Sequence, residues 1–350
     1  MGFTVKTRIK RLLQSQPKVW SKYQQTKGWL RRLLVMRYFG YDMLNTYRAM
    51  RWRSGERDPV SLGAELTFYD HKLEKGLVMP GTKRMFGDDA ALQTMLLARK
   101  WVRSGYPQSD PVFAGAVQIL ACYRAHIEKW GFEVSTQFAN TIDRFLHEFA
   151  ERDPSLDSPV PLATEQCSDS PQAYDGFRQL CHARRSVRNF LPNTVPSGVF
   201  ERAVGLAQLS PSACNRQPCK VIVVSDADRK RTLLSYQNGN RGFGHLVPHV
   251  AILTVDERCF FDASERHEPY IDGGLFAMSL ILGLRAEGVA SCCLNWCVSP
   301  ENDRAAHRLF DLPDSCRIVM LIAIGYPPPE CMVARSPRKE LADVLLFDEC

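Results

Sequence analysis

No apolar run in this 350-residue sequence is long enough to cross a bilayer. The longest one, from Leu275 to Leu284, is about half of the roughly 20 residues that a membrane-spanning helix requires. The first residues carry basic side chains but no continuous apolar stretch before a small-residue cleavage site, so a secretory leader is not indicated. We therefore expect a cytoplasmic protein.

The motifs of several enzyme classes are also missing. The chain has no G-x-S-x-G elbow, no H-E-x-x-H pair and no P-loop. Gly239, Gly242 and Gly244 have the reverse of the dinucleotide-binding spacing and follow no βα turn, which indicates a loop. The 12 cysteines are scattered from Cys122 to Cys350 without a C-x-x-C pair, a distribution typical of reduced thiols rather than of a metal site.

Acidic residues are almost absent from residues 1–55. This segment contains 13 Lys and Arg and one acidic residue, Asp42, and therefore carries a charge of +12. The whole chain carries +7, so the rest is slightly acidic. Aromatic residues such as Trp20, Trp29 and Phe39 interleave with the basic ones, which favours an amphipathic basic segment. Either a solvated arm or attraction to an anionic membrane surface fits this composition. No recognition motif points to nucleic acid.

Residues 56–152 are predicted to form an all-α module, because apolar side chains recur there at helical spacing. Breaks at 105–111 and 131–135 separate three such stripes. Their members are Ala91, Met95, Ala98 and Val102; Ala116, Leu120, Tyr123, Ile127 and Trp130; and Phe138, Ile142, Phe145 and Phe149. The earlier part is interpreted as a charged helix that ends at Gly76 and is followed by a turn at Pro80-Gly81.

A change of composition separates this module from the rest of the chain. Residues 153–175 are rich in Pro, Ser, Asp and Thr and lack an apolar period, as is typical of an exposed linker. Within residues 176–350, three β-branched apolar runs have the length of interior strands, at 221–224, 250–255 and 318–324. We predict that Leu275 to Leu284 forms a helix that is buried in a core or subunit interface and stops at Gly288. These elements indicate an α+β domain with a central sheet.

Three guanidinium groups and one hydroxyl fall within the five residues from Arg184 to Arg188. Arginine binds phosphate oxygens bidentately and a serine hydroxyl adds a neutral donor, so this spacing can close around one phosphate. Taken alone, however, the cluster favours a solvated basic turn, because short Arg-Ser clusters are common and nonspecific.

The order of the elements that follow changes this interpretation. A predicted helix from Pro196 to Gln208 leads into a polar turn and a strand, and further motifs come at fixed places after it. These are Gly273-Gly274 at the start of the buried helix, Ser291 to Trp296, a strand that ends at Gly325, and Ser336 to Lys339. The series resembles the nitroreductase superfamily, including its iodotyrosine deiodinase branch, over about residues 176–350. The resemblance implies a three-layer α+β fold with a central mixed sheet, here preceded by the all-α module.

The resemblance also implies an FMN site. Arg184 and Ser186 match the residues that hold the flavin phosphate, Arg185 completes the deiodinase-like version of the motif, and Arg188 matches the basic residue near ring atoms N1 and O2. A positive charge there stabilises the anionic reduced flavin. Arg338 matches a late arginine that also binds the phosphate.

Two further motifs are expected beside the ring. Ser212, Asn215 and Gln217 match a turn that meets the ring edge, and Leu294 and Asn295 match a loop that offers a backbone N–H to N5. Without a flavin, Asn215 is explained as an ordinary turn residue, Asn295 as a strand-end cap and Arg338 as a solvated charge.

The activity that the resemblance implies is hydride transfer between NAD(P)H and a small organic acceptor through flavin N5, in a homodimer with flavin at the subunit interface. The alternatives are an FMN-dependent dehydrogenase that acts in the oxidative direction and a membrane- or polyanion-attached scaffold with a vestigial flavin fold. Residues 69–77 and 84–87 resemble a helical extension of nitroreductase-like proteins of bacterial polysaccharide gene clusters. This second resemblance implies a role in polysaccharide or other specialised biosynthesis. Separately, the basic composition of residues 1–55 leads us to expect peripheral contact with the anionic inner face of the membrane.

Overall fold

A computed structural model of the chain describes residues 14–52, 58–80, 85–149, 159–160 and 171–348. Its helices are α1 (Pro17–Ala49), α2 (Pro59–Val78), α3 (Asp88–Arg103), α4 (Pro111–Trp130), α5 (Thr136–Phe149), α6 (Pro171–Ala183), α7 (Ser197–Ala207), α8 (Ala227–Tyr236), α9 (Glu268–Ala286) and α10 (Pro300–Leu309). Its strands are β1 (Cys219–Val224), β2 (His249–Asp256), β3 (Ala290–Asn295) and β4 (Cys316–Gly325).

Helices α2 to α5 confirm the all-α module and share one apolar core. Asp58 and Asp110 cap the N-termini of α2 and α4 by accepting backbone N–H bonds, and a proline follows each cap. The prediction that a helix ends at Gly76 is wrong, because α2 continues to Val78. Gly76 is required for a different reason: the ring of Phe86 lies where a β-carbon would stand. Gly81 and Arg84 lie outside the described residues.

The strands form one antiparallel sheet in the order β1-β2-β4-β3 within the described part of the chain. A parallel component of the predicted mixed sheet is present as a single bridge between Ser186 and Ser291. Every residue of the inner strand β2 is buried, as expected for a strand covered on both faces. The three predicted apolar runs all lie within β1, β2 and β4.

Helices cover both faces of the sheet, which confirms the three-layer architecture. On one face α7 and α9 pack together, with Gly283 against the backbone of Ala203. On the other face lie α8 and α10, together with Val187 and Phe190.

Helix α9 begins at Glu268, well before the predicted Leu275, so Gly273 and Gly274 lie inside it rather than at its start. A β-carbon at Gly273 would stand 2.8 Å from Val319 Cγ2 of β4, so glycine lets the helix approach the sheet. The helix stops before Gly288, which has a φ of +76°, as predicted.

A fourth apolar cluster joins the helical region to the sheet. Met50, Trp52 and Ala64 pack with Val255 and Phe260, and the Trp52 indole N–H donates to the carbonyl of Arg258 at 2.8 Å. The two halves of the chain therefore share a core.

The predicted linker lies only partly within the described residues. Residues 150–158 and 161–170 lie outside the described residues, and residues 171–175 belong to α6. No helix in the described part of the chain is long and apolar enough to cross a membrane.

Candidate functional site

The segment from Arg184 to Arg188, named here the basic segment, lies along the free edge of β3. It leaves the C-terminus of α6 in an extended conformation, and the Val187 N–H donates to the carbonyl of Ser291 at 3.1 Å. Val187 is buried, whereas Arg188 is exposed. The alternation of the strand therefore directs Val187 into the core and its neighbours outward.

The guanidinium groups of the basic segment are not neutralised within the described chain. Arg185 Nη1 donates to the carbonyl of Arg184 at 3.3 Å and Arg188 Nη1 to that of Ser186 at 3.4 Å. No carboxylate among the described residues forms a salt bridge with Arg184, Arg185 or Arg188. Burial raises the pKa of the adjacent Cys292 thiol, and the Arg188 charge and the Ser186 hydroxyl partly oppose that rise. Ser186 and Arg188 thus concentrate positive potential at one point of the edge.

Strand β3 presents free backbone donors beside this charge. The two backbone groups of one residue point to the same side of a strand, and neighbours alternate. Since the Ser291 carbonyl faces the basic segment, the N–H groups of Cys293 and Asn295 face the same open side, whereas that of Leu294 faces β4. Of the two residues predicted to offer an N–H to the flavin, Asn295 directs its N–H to this open side and Leu294 does not.

Asn295 is held in place by the buried side chain of Gln237, which follows α8 on one face of the sheet. Gln237 Nε2 donates to the Asn295 carbonyl and to Asn295 Oδ1, both at 3.1 Å. Gln237 is 4% exposed, so its amide has few alternative partners. The interaction fixes the orientation of Asn295 at the end of β3.

The turn from Ser212 to Gln217 has an unusual backbone conformation. Cys214, Asn215 and Gln217 have φ angles of +50°, +55° and +48°. Left-handed conformations of this kind are uncommon for residues other than glycine, and persist where surrounding contacts enforce them. Ser212 Oγ accepts from the Gln217 N–H at 3.0 Å, which closes the turn. Asn215 and Gln217 are exposed at its surface.

Arg216 enforces this conformation from within. Its side chain is 1% exposed and pairs bidentately with Glu265 at 2.8 and 2.9 Å. It also donates to the carbonyls of Ala213 and Cys259, at 2.7 and 2.9 Å. The guanidinium lies 5.4 Å from the ring centroid of Trp52, so the helical half of the chain takes part in holding the turn.

Asp272 of α9 supports the same turn from the other side. Its two carboxylate oxygens lie 3.2 Å from the Ala213 nitrogen and accept its N–H bond. Burial raises the pKa of Asp272 to about 6, and the hydrogen bond from the Ala213 N–H partly opposes this rise. The carboxyl borders a cleft that Ser212, Gln217 and Cys219 also line. Burial likewise raises the pKa of Cys219 to about 12, so this thiol is not a nucleophile at neutral pH.

The basic segment and the Ser212–Gln217 turn lie at diagonally opposite corners of the sheet. Between them are four inter-strand spacings, or roughly 19 Å across the strands. Ser291 pairs with Ile324, whereas Cys219 lies level with Arg317, so the corners are also separated by roughly 24 Å along β4. By the same register Asn295 pairs with Met320, four residues or roughly 13 Å along the strand from the level of Ser291, so within one chain the basic segment lies nearer to Asn295 than to Asn215.

Arg338 lies in the exposed C-terminal segment. It donates to the carbonyl of Ser336 at 2.6 Å and, within the described part of the chain, to no residue of the basic segment. The same C-terminal segment passes the basic segment earlier, where Cys331 Sγ lies 3.9 Å from the Asn189 carbonyl.

His249 of β2 has a structural role. Its Nε2 accepts from the Val195 N–H at 2.8 Å, and its Nδ1 lies 2.7 Å from Ser225 Oγ. Burial, together with the Lys230 charge, lowers the pKa of His249, so the neutral ring is favoured. The ten cysteines in the described ranges form no disulfide.

Four residues that shape the site were not selected from the sequence: Arg216, Glu265, Asp272 and Gln237. Arg216 stands between two predicted residues, and a charged residue inside a turn is ordinarily solvated. No local signal in the sequence shows that its partner is Glu265, 49 positions later.

Comparison with known proteins shows which families the chain is similar to. The family model described as "Nitroreductase family" matches residues 182–241 and 227–326. An iodotyrosine deiodinase of Danio rerio is 22% identical over 54% of this chain and 72% of its own length. An NADH dehydrogenase of Thermus thermophilus is 27% identical over 42% of this chain and 84% of its own length.

Among solved structures, an FMN-dependent nitroreductase from Clostridium difficile is 18% identical, with a TM-score of 0.42 over 49% of this chain and 98% of its own. The residues that the family model matches contain the basic segment, the turn and the whole sheet. Residues 182–326 of this chain are a member of the nitroreductase superfamily.

Proposed function

We propose that this protein is an FMN-dependent oxidoreductase that takes hydride from NAD(P)H and passes it to a small organic acceptor. The observation that carries the proposal is the unneutralised basic segment beside the outward N–H groups of β3. Three guanidinium groups, a hydroxyl and free backbone donors together form a site for an anion joined to a polar ring system. A phosphorylated flavin has that chemistry, and once bound it supplies hydride exchange at N5.

The residues of the chain would bind and orient the cofactor. Arg184, Arg185 and Ser186 are the proposed phosphate ligands, and Arg188 places positive charge near N1 and O2. The Asn295 N–H is the proposed donor toward N5. Bound in a partly desolvated site, these fixed donors favour the anionic reduced ring without reorganising.

We further propose that a second copy of the chain completes the site. Asn215 and Gln217 lie too far from the basic segment to meet the same flavin within one chain, but a two-fold related copy can bring its own turn to that edge. Apolar surface suited to such an interface is exposed on three neighbouring helices. On α9 these residues are Ile271, Leu275 and Met278; on α6, Tyr174 and Phe177; and at the end of α7, Leu206 and Leu209.

Helix α6 supports this interface most directly. None of its residues is buried, and even the large apolar side chains of Phe177 and Tyr174 are 59% and 69% exposed. A helix that buries nothing gains little from tertiary packing and is marginally stable by itself. Burial against a partner would stabilise α6 and, with it, the basic segment that follows.

Flavin titration and rapid kinetics test the proposal. Purified protein is expected to bind FMN in a fixed ratio per chain, and stopped-flow mixing with NADH or NADPH should bleach the flavin absorbance. Reoxidation can then be screened with quinones, nitroaromatics and sugar-linked acceptors, the last because of the resemblance to polysaccharide-cluster proteins. Protein that cannot take up FMN under any of these conditions would exclude the assignment.

A further inference from the structure

Helix α1 contacts the rest of the protein through one face only. The Tyr41 hydroxyl donates to Asp303 Oδ2 at 2.7 Å, and Asp42 pairs with Arg317 at 2.7 Å. One turn later, Thr46 Oγ1 donates to Glu257 at 3.2 Å. These contacts are polar, long-range and confined to the C-terminal half of the helix, whose orientation they fix.

The opposite face carries an unpartnered apolar stripe. The outer stripe, defined as Trp29, Met36, Phe39, Met43 and Tyr47, recurs every three, four or seven residues and therefore lies along one side. Its side chains are 61%, 63%, 66%, 71% and 71% exposed. It extends over 19 residues, or roughly 27 Å from the first to the last. Soluble proteins rarely expose a contiguous apolar surface of this length unless something binds to it.

Charge indicates what covers the outer stripe. Residues 1–41 contain no acidic residue. Lys18 and Lys22 continue the same side of the helix toward its N-terminus and Arg32 lies between Trp29 and Met36, so basic residues adjoin the apolar ones on the outer face. A second copy of α1 would bring like charges together, which disfavours self-pairing. A surface that is both anionic and apolar complements this face.

We propose that the outer face of α1 binds an anionic lipid membrane, with the helix axis in the plane of the interface. The outer stripe enters the boundary between head groups and acyl chains, where Trp29 and Tyr47 have the mixed polar and apolar character found at such interfaces. Lys18, Lys22 and Arg32 attract the lipid phosphates. Since the inner face stays paired with Asp303 and Arg317, the remainder of the protein is carried to the membrane as one unit.

Vesicle co-sedimentation of the full chain tests this proposal. Wild-type protein is expected to bind vesicles of phosphatidylcholine with 30% phosphatidylglycerol at least tenfold more tightly than vesicles of phosphatidylcholine alone, and less tightly in high salt. Phe39→Ser with Met43→Ser should weaken binding to the anionic vesicles at least tenfold, as should Lys18→Glu with Lys22→Glu.

A matched control is the pair Leu92→Ser with Leu96→Ser on α3, whose side chains are 43% and 58% exposed on another helix. This variant should bind anionic vesicles within twofold of wild type. Far-ultraviolet circular dichroism and the thermal midpoint verify that every variant is folded. The proposal is overturned if wild type does not bind anionic vesicles, or if both outer-face variants bind them as tightly as the control does. It is also overturned if the same protein binds nucleic acid but not lipid, or if light scattering shows that the outer-stripe variant only lowers the mass of a self-associated assembly.

Discussion

At one corner of the sheet Arg188 is exposed and Arg184 and Arg185 are half-buried, and none of the three has a carboxylate partner among the described residues. At the diagonal corner, Arg216 is buried and its donors are satisfied by Glu265 and two carbonyls. The first arrangement leaves charge available for a ligand, whereas the second uses charge to hold a backbone shape. The same residue type is therefore available to a ligand at one corner and has a structural role at the other.

The largest expected effect comes from removing the available charge. Arg184→Ala with Arg188→Ala should weaken FMN binding at least 100-fold, because each charge-assisted hydrogen bond contributes about 1.5 to 3 kcal/mol. The free energy of unfolding should remain close to that of wild type, since neither side chain pairs with a described carboxylate. Fluorescence titration of apoprotein with FMN and urea denaturation measure the two quantities.

Arg178→Ala is the control for this variant. Arg178 precedes the basic segment on α6, is 52% exposed and pairs with Asp175. Its removal should leave FMN affinity unchanged. Equal losses in Arg178→Ala and in the double variant would show that general positive charge, rather than the basic segment, attracts the flavin.

The second effect concerns the structural charge. Arg216→Met should lower the free energy of unfolding by about 3 kcal/mol, because it leaves Glu265 without its partner in a partly buried position. Glu265→Gln added to Arg216→Met should recover part of that loss. Denaturant titrations of the four proteins in this cycle give the coupling energy.

Arg202→Met provides the exposed counterpart, since Arg202 forms a bidentate pair with Glu287 at 2.7 and 2.9 Å on the surface. No measurable change is expected there. If Arg216→Met also left the free energy of unfolding unchanged, the turn would be held by the backbone alone.

The smallest effect is a pH dependence at the same corner. The pKa of Asp272 is raised from 3.8 to about 6 by burial, so the folded protein retains a proton that the unfolded chain releases between these values. The stability that this group contributes is therefore present below pH 4 and lost as the pH rises through 6. Asp272→Asn should gain about 2 kcal/mol over wild type at pH 7.5 and almost nothing at pH 4. Thermal unfolding at both pH values measures the difference, and a gain at pH 4 equal to that at pH 7.5 would contradict the shifted pKa.

Much of the fold could be predicted because its signals are local. Helices α3 to α5 follow from apolar stripes, and β1, β2 and β4 from short β-branched runs. Helices α8 and α10 were not predicted, although Asp226 and Ser299 cap their N-termini. Their polar surfaces bury few residues, so the apolar period that reveals a helix is weak there.

Other errors arose where tertiary contact overrides a local signal. Gly76 has the composition of a helix stop, yet it is needed because Phe86 packs against α2. Gly273 likewise allows α9 to approach β4 rather than starting the helix. Apolar side chains of α1 outside the outer stripe, such as Leu34 and Leu44, are also exposed, so the amphipathic segment expected over residues 1–55 is clear only where the inner face docks.

The basic segment and the turn were both identified as motifs, but their placement was not predictable. The sequence shows that Arg188 and Asn215 are 27 positions apart and contains no signal for the strand order that places them at opposite corners. The direction of the Asn295 N–H also depends on the register of β3 with β4. The proposal that a second chain completes the site rests on this topology.

Complementation between two defective chains tests the shared site most directly. One chain carries Arg184→Ala with Arg188→Ala, and the other carries Asn215→Ala with Gln217→Ala. If each flavin meets the basic segment of one copy and the turn of the other, the mixed dimer contains one intact site. Isolated through two affinity tags, it should bind one FMN per dimer with wild-type affinity and restore reduction by NAD(P)H, while each parent dimer remains deficient. A mixed dimer that binds FMN no better than its parents would contradict a site built from two chains.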